Sequence, residues 1–418
     1  MGNAVKRYLR LFFELQLAQW QNYAQGAKHD LSRLDAALYA CLREETCLSG
    51  CSPEAQPIYA AIRRRGLVDR HPQVSRLRNR LDDWDNYGAG LTEEVRKDSQ
   101  AYRVALARRM RPDVLQLMAL RQNLARARGC SSYPHLVLQT EGLDYDWTRA
   151  QVTRYLQRHL PTGRRLIAAH DIKWNTWWSD LRLLGELPLV DDAQALAASL
   201  LQRLGLADAW PRISLHIRED GLAGYTGVIT PGADVHVLVR PVRSLSALAT
   251  LCHELGHACY HALRRAEGWQ QLWSSSYDEA MAVLLEWVGL HVLLGEGTRL
   301  RRTQEIALLE NVRCAISYLF ELELWQAPEQ AEPLYLQHYG RLGLDLGEPL
   351  LWALDSFRSI DPMYIQNYVL GAIVAEQMLT RWLNSYGHDY EAWGREIRQL
   401  YALGHSSSLI STMGREQI

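Results

Sequence analysis

The stretch from Ser244 to Leu263 constrains this 418-residue chain most, because it combines an apolar helical pattern with the sequence His-Glu-Leu-Gly-His. Its leucines and alanines recur at helical spacings, which predicts an amphipathic helix that begins near Ser244. On such a helix His253 and His257 lie one turn apart on the same face. Two imidazoles at this spacing can bind one zinc ion. Glu254, offset by one residue, can reach a water molecule beside the ion and act as a general base.

A catalytic zinc site needs a third protein ligand, and the helix-forming run from Tyr277 to Trp287 contains two candidates. Glu279 and Glu286 are seven residues apart and share one helical face. The spacing leaves both open as the ligand that completes a His-His-Glu site for one zinc ion per chain. Asp278 is predicted either to orient a histidine ligand or to cap the helix. A bare His-Glu-x-x-His match also arises by chance, but a match followed by a glutamate-bearing helix favours zinc.

Composition and charge argue against several classes of partner. The formal net charge of −1 provides no field that would attract nucleic acid or an anionic membrane. No apolar run approaches the length of a bilayer span, and the N-terminal segment reads as an amphipathic helix rather than a signal peptide. The seven cysteines form no pairing pattern and suit a reducing cytoplasm. Cys41, Cys47 and Cys51 cluster without a second ligand pair, so their role stays open.

The sequence pattern divides the chain into an N-terminal helical region, residues 1–205, and a region that contains a small sheet, residues 206–418. No linker separates the two regions, which are predicted to pack as one continuous unit. Alternating patterns predict strands at Ile213–Arg218 and Asp234–Arg240, separated by a glycine-rich turn. An edge strand beside a zinc site could dock an extended peptide by adding it as a further strand. His236 is then a candidate substrate contact, although a lone strand histidine is more often a surface residue.

Two aromatic groups carry less specific signals. Tyr364 and Tyr368 are four residues apart and share a helical face, where a phenol beside zinc could stabilise an oxyanion. Taken alone, two tyrosines at this spacing are more often part of a core. Trp174, Trp177 and Trp178 are predicted to pack in the core.

Taken in order, these motifs resemble the thimet oligopeptidase and oligopeptidase F family of zinc peptidases over roughly the last half of the chain. The matching segments are Gly224-Tyr225, the strand Asp234–Val239, Ala249–Ala258, Tyr277–Ala280 and Glu286-Trp287. The run Tyr364–Gly371 is also similar to a motif of carboxypeptidase Taq.

The resemblance implies a mostly α fold: an elongated helical body with a deep central channel, zinc on its floor, and one small antiparallel sheet beside the zinc helix. It assigns the third zinc ligand to Glu279 and leaves Glu286 as a non-ligating glutamate. It makes Tyr368 the better-placed phenol and Tyr364 a second candidate.

Three residues are candidate substrate contacts. They are Tyr225, in a segment that resembles the family's, His236 on the strand, and Arg358. The family has a substrate-binding histidine shortly before its tyrosine pair, whereas the corresponding stretch Asp355–Ile360 has none, so Arg358 is predicted to replace it as a cationic donor. The chain is also shorter than typical members, which implies an altered channel wall or substrate range.

The predicted function is therefore a cytoplasmic zinc oligopeptidase acting on short unstructured peptides, without nucleic-acid or membrane partners. A carboxypeptidase of the Taq type is the first alternative, and it would need a cationic group for a free C-terminus. A maturation protease dedicated to one peptide is another. A non-catalytic helical binding protein is disfavoured, because such a protein has no use for the base Glu254. The natural peptide, the cleavage preference and the oligomeric state stay open.

Overall fold

Helices form most of the described chain, and the one sheet found there lies between residues 213 and 239. The computed structural model describes residues 3–44, 56–188, 190–220, 222–264, 271–272 and 274–403. The helices before the sheet are α1 (Asn3–Gln25), α2 (Ser32–Arg43), α3 (Gln56–Asp69), α4 (Pro72–Asp82), α5 (Trp84–Gly88), α6 (Glu93–Lys97), α7 (Ser99–Arg126), α8 (Tyr133–Thr140), α9 (Tyr145–Ala169), α10 (Trp177–Leu183) and α11 (Ala193–Arg203).

A second series of helices follows the sheet. These are α12 (Leu245–Leu263), α13 (Ser275–Leu294), α14 (Thr298–Gln326), α15 (Ala331–Tyr339), α16 (Ser356–Ser359), α17 (Gln366–Tyr386) and α18 (Tyr390–Leu403). Short 3-10 segments lie at Ala207–Arg212, Pro328–Gln330, Gly340–Leu342 and Pro349–Leu354. The predicted mostly helical body with one small sheet beside the histidine-bearing helix α12 is confirmed.

The sheet has three strands, β1 (Ile213–Ile217), β2 (Gly224–Thr230) and β3 (Asp234–Val239), in the order β1-β3-β2. β2 and β3 pair antiparallel through a tight turn in which Gly232 has a φ of 75°, a conformation that favours glycine. β1 pairs with β3 in parallel. The sheet is therefore mixed rather than purely antiparallel as predicted, because β3 inserts between β1 and β2.

β2 occupies a stretch that the sequence predicts as a turn, since Gly224 and Gly227 interrupt its apolar pattern. Each glycine admits a neighbouring side chain. A Cβ atom at Gly224 would lie 2.5 Å from Oε1 of Glu254, and one at Gly227 would lie 2.7 Å from the ring of Trp20. Glycine within a strand often marks such a close approach.

The two faces of the sheet contact different parts of the molecule. Val235 and Val237 of β3 are buried in the main core. Thr226, which pairs with Val237, hydrogen-bonds Glu254 of α12, so this face is turned toward α12. Leu238, on the alternate face, packs with Trp20 of α1 in a separate cluster. The sheet is thus covered on one face by the histidine-bearing helix and on the other by the N-terminal helix.

One large hydrophobic core connects the two regions of the sequence. It includes Leu200 and Leu201 of α11, which precede residue 205, together with Leu251 of α12 and Val288 of α13. Packing across residue 205 holds the helices of the site in a single framework. None of the described helices is both long enough and apolar enough to span a bilayer.

Of the predicted cysteine cluster, Cys41 is buried in a smaller core formed with residues of α1 to α3. Cys47 and Cys51 lie outside the described residues. Cys252 and Cys259 of α12 are fully buried and pack as small core residues.

Candidate active site

The site is built where α12 and α13 pack closely together. Ser244 caps α12, because its Oγ accepts a hydrogen bond from the backbone N of Ala247 at 3.1 Å. Gly256, within the His-Glu-x-x-His sequence, permits the close contact, since a Cβ atom there would lie 2.6 Å from the Cα of Ala282. The small residues at this crossing bring the histidines of α12 against the first turns of α13.

Three potential ligand side chains meet at this crossing. His253, His257 and Glu279 each offer one atom, and these atoms lie within 4.8 Å of one another. Nε2 of His253 is 3.3 Å from Oε2 of Glu279, and Nε2 of His257 is 3.6 Å from Oε1. Ligands placed tetrahedrally about 2.1 Å from a zinc ion are about 3.4 Å apart. Within the described chain, no donor makes a regular hydrogen bond to the buried Oε2 of Glu279. The donor set therefore fits a zinc ion.

A second layer of carboxylates orients both histidines. Nδ1 of His253 donates to Glu286 at 3.1 Å, and Nδ1 of His257 donates to Asp278 at 2.8 Å. This pattern leaves Nε2 of each ring directed at Glu279, as in metal sites where a carboxylate fixes the histidine tautomer. Of the two roles predicted for Asp278, the structure therefore shows the orienting one.

The N-cap of α13 is Ser274. Its Oγ accepts a hydrogen bond from the backbone N of Tyr277 at 3.2 Å. Asp278 therefore does not cap α13, and its carboxylate can accept hydrogen bonds from the histidines.

His261 is a member of this network that the sequence analysis missed. Its Nε2 lies 3.1 Å from Oδ2 of Asp278, so Asp278 bridges His257 and His261. Burial lowers the pKa of His261 to about 4, which keeps the ring neutral near pH 7. Burial opposes ionisation of Asp278, but the two histidines outweigh it and hold the pKa of that carboxyl well below its usual range. The sequence contained a signal for the involvement of His261, because His253, His257 and His261 recur every fourth residue and so share one face of α12.

The candidate base Glu254 is held by the sheet. Thr226 of β2, also missed by the sequence analysis, donates its hydroxyl to Oε2 of Glu254 at 2.7 Å. The other oxygen, Oε1, occupies the space left by Gly224. Burial raises the pKa of Glu254, an environment that suits a carboxylate whose task is to take up a proton.

The two predicted tyrosines occupy different positions. Tyr364, just before α17, donates its hydroxyl to Oε1 of Glu279. Tyr368, in the first turn of α17, has its ring centroid 6.2 Å from that of His253 and lines the cleft. Burial raises the pKa of both phenols, so both keep their protons near neutral pH. Tyr364 is placed to orient the candidate metal ligand Glu279, and Tyr368 is placed to meet a bound molecule.

These residues open onto a large cleft of about 1240 Å³. His253, Glu254 and Tyr368 lie on its wall together with residues of α10, α14 and the segments around residues 344–358. Small-molecule sites typically measure about 300–1,000 Å³. The cleft therefore has room for an extended ligand rather than a compact metabolite.

The sequence matches no protein-family model and no curated protein. Solved structures do match. An oligoendopeptidase F aligns with a TM-score of 0.65 and 13% identity over 92% of this chain and 80% of that one. An M32 carboxypeptidase from Deinococcus radiodurans aligns with a TM-score of 0.63 and 14% identity over 98% and 94%. A carboxypeptidase from Pyrococcus furiosus aligns with a TM-score of 0.64 and 14% identity over 100% and 97%.

The fold is that of these peptidases. The predicted resemblance, including its carboxypeptidase component, is thereby confirmed at the level of the fold. At 13–14% identity the likeness shows the fold alone, so any activity has to be argued from the site residues.

Two of the predicted substrate contacts lie on the sheet face that is turned away from α12. Tyr225 packs against Trp20, with ring centroids 5.9 Å apart. His236 lies 3.0 Å from both His216 and Asp234, and it also packs on Trp20. Neither belongs to the described residues that line the cleft. Strand alternation explains the result, because Gly224 and Thr226 take the face toward Glu254.

Arg358, the third predicted contact, borders the cleft but is only 1% exposed. Its guanidinium forms an ion pair with Glu321 at 2.9 Å, lies 3.4 Å from Asp355, and donates to Ser317. Because its Nη1 and Nη2 donors are used within the protein, this placement favours a structural role over contact with a substrate.

The tryptophan cluster departs from its predicted core packing. Trp177 is buried, as expected, and Trp174 is half-buried. Trp178 has 64% of its surface exposed and lies on the wall of the cleft. Adjacent residues at the start of a helix point in different directions, so one of the pair faces the core and the other faces the cleft.

Replacing Gly224 by alanine is expected to lower catalytic activity by about 10²-fold, the cost typical of a displacement near 1 Å in an active site. The new Cβ would lie 2.5 Å from Oε1 of Glu254 and 2.6 Å from Cγ2 of Thr250, so the carboxylate must move. Bound metal should be unchanged, because the three candidate ligands are not displaced. Steady-state kinetics and metal analysis check both expectations.

Gly340 provides the matched control, since no atom lies within 4 Å of a Cβ built there. Gly340→Ala should leave the rate unchanged. Equal rates for Gly224→Ala and Gly340→Ala would contradict the idea that the gap at Gly224 positions Glu254.

Proposed function

We propose that this protein is a zinc-dependent peptidase that hydrolyses short unstructured peptides within the cleft. The observation that carries the proposal is the convergence of His253, His257 and Glu279 beside the buried base Glu254, where His253 and Glu254 line a cleft large enough for a peptide. The shared fold of oligoendopeptidase F and M32 carboxypeptidases supports the same reaction class.

Each residue has a role that follows from its position. His253, His257 and Glu279 would hold the zinc ion, which supplies Lewis-acid polarisation of the scissile carbonyl and lowers the pKa of a water ligand. Glu254 accepts a proton from the attacking water and delivers it to the leaving amine nitrogen.

The remaining residues orient these groups. Tyr368 stands beside the cleft with its proton in place and donates a hydrogen bond to the oxyanion that develops on the former carbonyl. Tyr364, Glu286 and Asp278 keep the ligand side chains in position through the hydrogen bonds described above. A non-catalytic binding protein would not require a base that is positioned by Thr226 and Gly224.

A carboxypeptidase of the Taq type is the second candidate, and one observation favours it. The two carboxypeptidases align over 94% and 97% of their own length, whereas the oligoendopeptidase F aligns over 80% of its length. Arg103, Arg182 and Arg240 border the cleft and could supply the cationic group that a free C-terminus needs. A protease dedicated to one peptide would use the same site with a narrower substrate range.

The test compares one peptide in two forms, with a free C-terminus and with an amidated C-terminus. Purified protein loaded with zinc is incubated with each form, and the products are identified by mass spectrometry. Cleavage of both forms at internal bonds supports the oligopeptidase, and removal of C-terminal residues from the free acid alone supports the carboxypeptidase. Both reactions should stop when a chelator removes the metal. Failure of a varied peptide library to yield any product would overturn the peptidase assignment.

A further inference from the structure

Trp178 stands out among the tryptophans of the described chain. Most of them are buried or half-buried, and only Trp84 and Trp178 are exposed, with 43% and 64% of their surface accessible. Both line the cleft that contains Glu254. A large exposed apolar side chain inside a binding cleft marks a contact for a ligand more often than a defect of packing.

The segment that carries Trp178 is fixed on its inner side. Nε1 of Trp174 donates to the hydroxyl of Tyr335 at 2.8 Å, and its ring lies 5.1 Å from that of Tyr339. Nε1 of Trp177 donates to Glu310 of α14. These anchors attach the start of α10 to α14 and α15. The indole of Trp178 is therefore presented to the cleft by a rigid support, which limits the entropy cost of binding a ligand.

One face of the Trp178 ring is already occupied. The guanidinium of Arg313 lies 4.8 Å from the ring centroid, and Arg313 forms an ion pair with Glu310 at 3.2 Å. An aromatic ring attracts cations through its face, and here a partly buried arginine satisfies that attraction. A second cation would find the ring face that Arg313 covers already occupied, whereas the exposed part of the ring offers apolar surface to an aromatic or aliphatic side chain.

We propose that Trp178 forms a binding subsite for an aromatic or aliphatic side chain of the peptide, and that Arg313 makes this subsite discriminate against lysine and arginine. The inference rests on the proposed function, since it takes the occupant of the cleft to be a peptide. Continuity with the candidate active site, within one cleft, argues for a residue of the substrate as the occupant rather than a separate ligand.

The test measures binding separately from hydrolysis, in the zinc-loaded Glu254→Gln protein. The probes are end-blocked alanine-based peptides of one length, in which phenylalanine or lysine is placed at each position in turn. At one position, replacing alanine by phenylalanine should lower the dissociation constant about tenfold, which is the effect expected when an aromatic side chain is buried against an aromatic ring. Replacing alanine by lysine at that position should not lower the dissociation constant. Isothermal titration calorimetry gives these constants.

Trp178→Ala in the same background should reduce the ratio of phenylalanine to alanine affinity from about ten to about one. Tyr386→Ala, which removes an exposed aromatic side chain outside the cleft, should leave the ratio unchanged. A ratio that survives Trp178→Ala, or that is lost in Trp84→Ala instead, would overturn the assignment. Thermal unfolding of each variant verifies that the fold is intact.

The outcomes separate this inference from the proposed function. If the wild-type protein cleaves the alanine peptide but Trp178→Ala does not change the ratio of phenylalanine to alanine affinity, the peptidase proposal is supported and the subsite proposal is wrong. If the protein binds phenylalanine peptides in a way that depends on Trp178 but cleaves none of them, the peptidase proposal is wrong and the subsite proposal is supported. A protein that neither binds nor cleaves these peptides overturns both.

Discussion

Substitution of Glu254 by glutamine is expected to reduce peptide hydrolysis by about 10²–10⁴-fold, the usual contribution of a general base. The amide has nearly the same size as the carboxylate and can still accept the hydrogen bond from Thr226. It cannot take up a proton from the attacking water. The three candidate ligands are left in place, so the variant should bind as much zinc as the wild-type protein. Turnover of an internally quenched peptide and metal analysis of the same samples measure the two properties.

Glu329→Gln serves as the control, because Glu329 is exposed and is not among the residues that line the cleft. That change should affect neither hydrolysis nor zinc content. Wild-type turnover in a zinc-loaded Glu254→Gln protein would assign the base to another residue. Loss of activity accompanied by loss of zinc would instead show that Glu254 supports the metal ligands, and the mechanism would need a different proton acceptor.

The convergence of the candidate ligands could be predicted from the sequence because helical geometry determines most of it. A spacing of four residues places His253 and His257 on one face whatever surrounds the helix. Which of Glu279 and Glu286 faces the pair depends on the crossing of α12 and α13, set by the contact of Gly256 with Ala282. The pattern alone left both glutamates open, and only the resemblance to a family distinguished them. The structure places Glu279 at Nε2 of both histidines and Glu286 at Nδ1 of His253.

The sheet shows where the sequence was insufficient. Alternation assigns Tyr225 and Thr226 to opposite faces, but it does not say which face meets α12. The fold resolves this by placing Thr226 on Glu254 and Tyr225 on Trp20, a residue about two hundred positions away in the sequence. Strand β2 was not predicted, because Gly224 and Gly227, which leave space for the side chains of Glu254 and Trp20, are also typical of a turn. The same dependence on distant contacts explains Trp178, whose exposure follows from the anchoring of its neighbours to α14 and α15.

Substitution of Glu279 by alanine is expected to remove most of the bound zinc. Two histidines would remain, one fewer than the three protein ligands that catalytic zinc sites use. The change also deprives the hydroxyl of Tyr364 of its acceptor. Competition with a chromogenic chelator measures the zinc affinity directly. Thermal unfolding provides a second readout, because a ligand that binds only the folded protein raises its stability. Added chelator should therefore lower the unfolding temperature of the wild-type protein and have little effect on Glu279→Ala.

Glu286→Ala is the matched control, since Glu286 lies on the same face of α13 and contacts the same histidine through the other nitrogen. Loss of such an outer partner typically weakens metal binding by about 10–100-fold, which is less than the loss of a ligand. Zinc affinity should therefore fall in the order wild type, Glu286→Ala, Glu279→Ala. The reverse order of the two variants would transfer the ligand role to Glu286. Unchanged zinc binding in both would mean that the histidine pair does not form a metal site with α13, and the peptidase mechanism would lose its chemical basis.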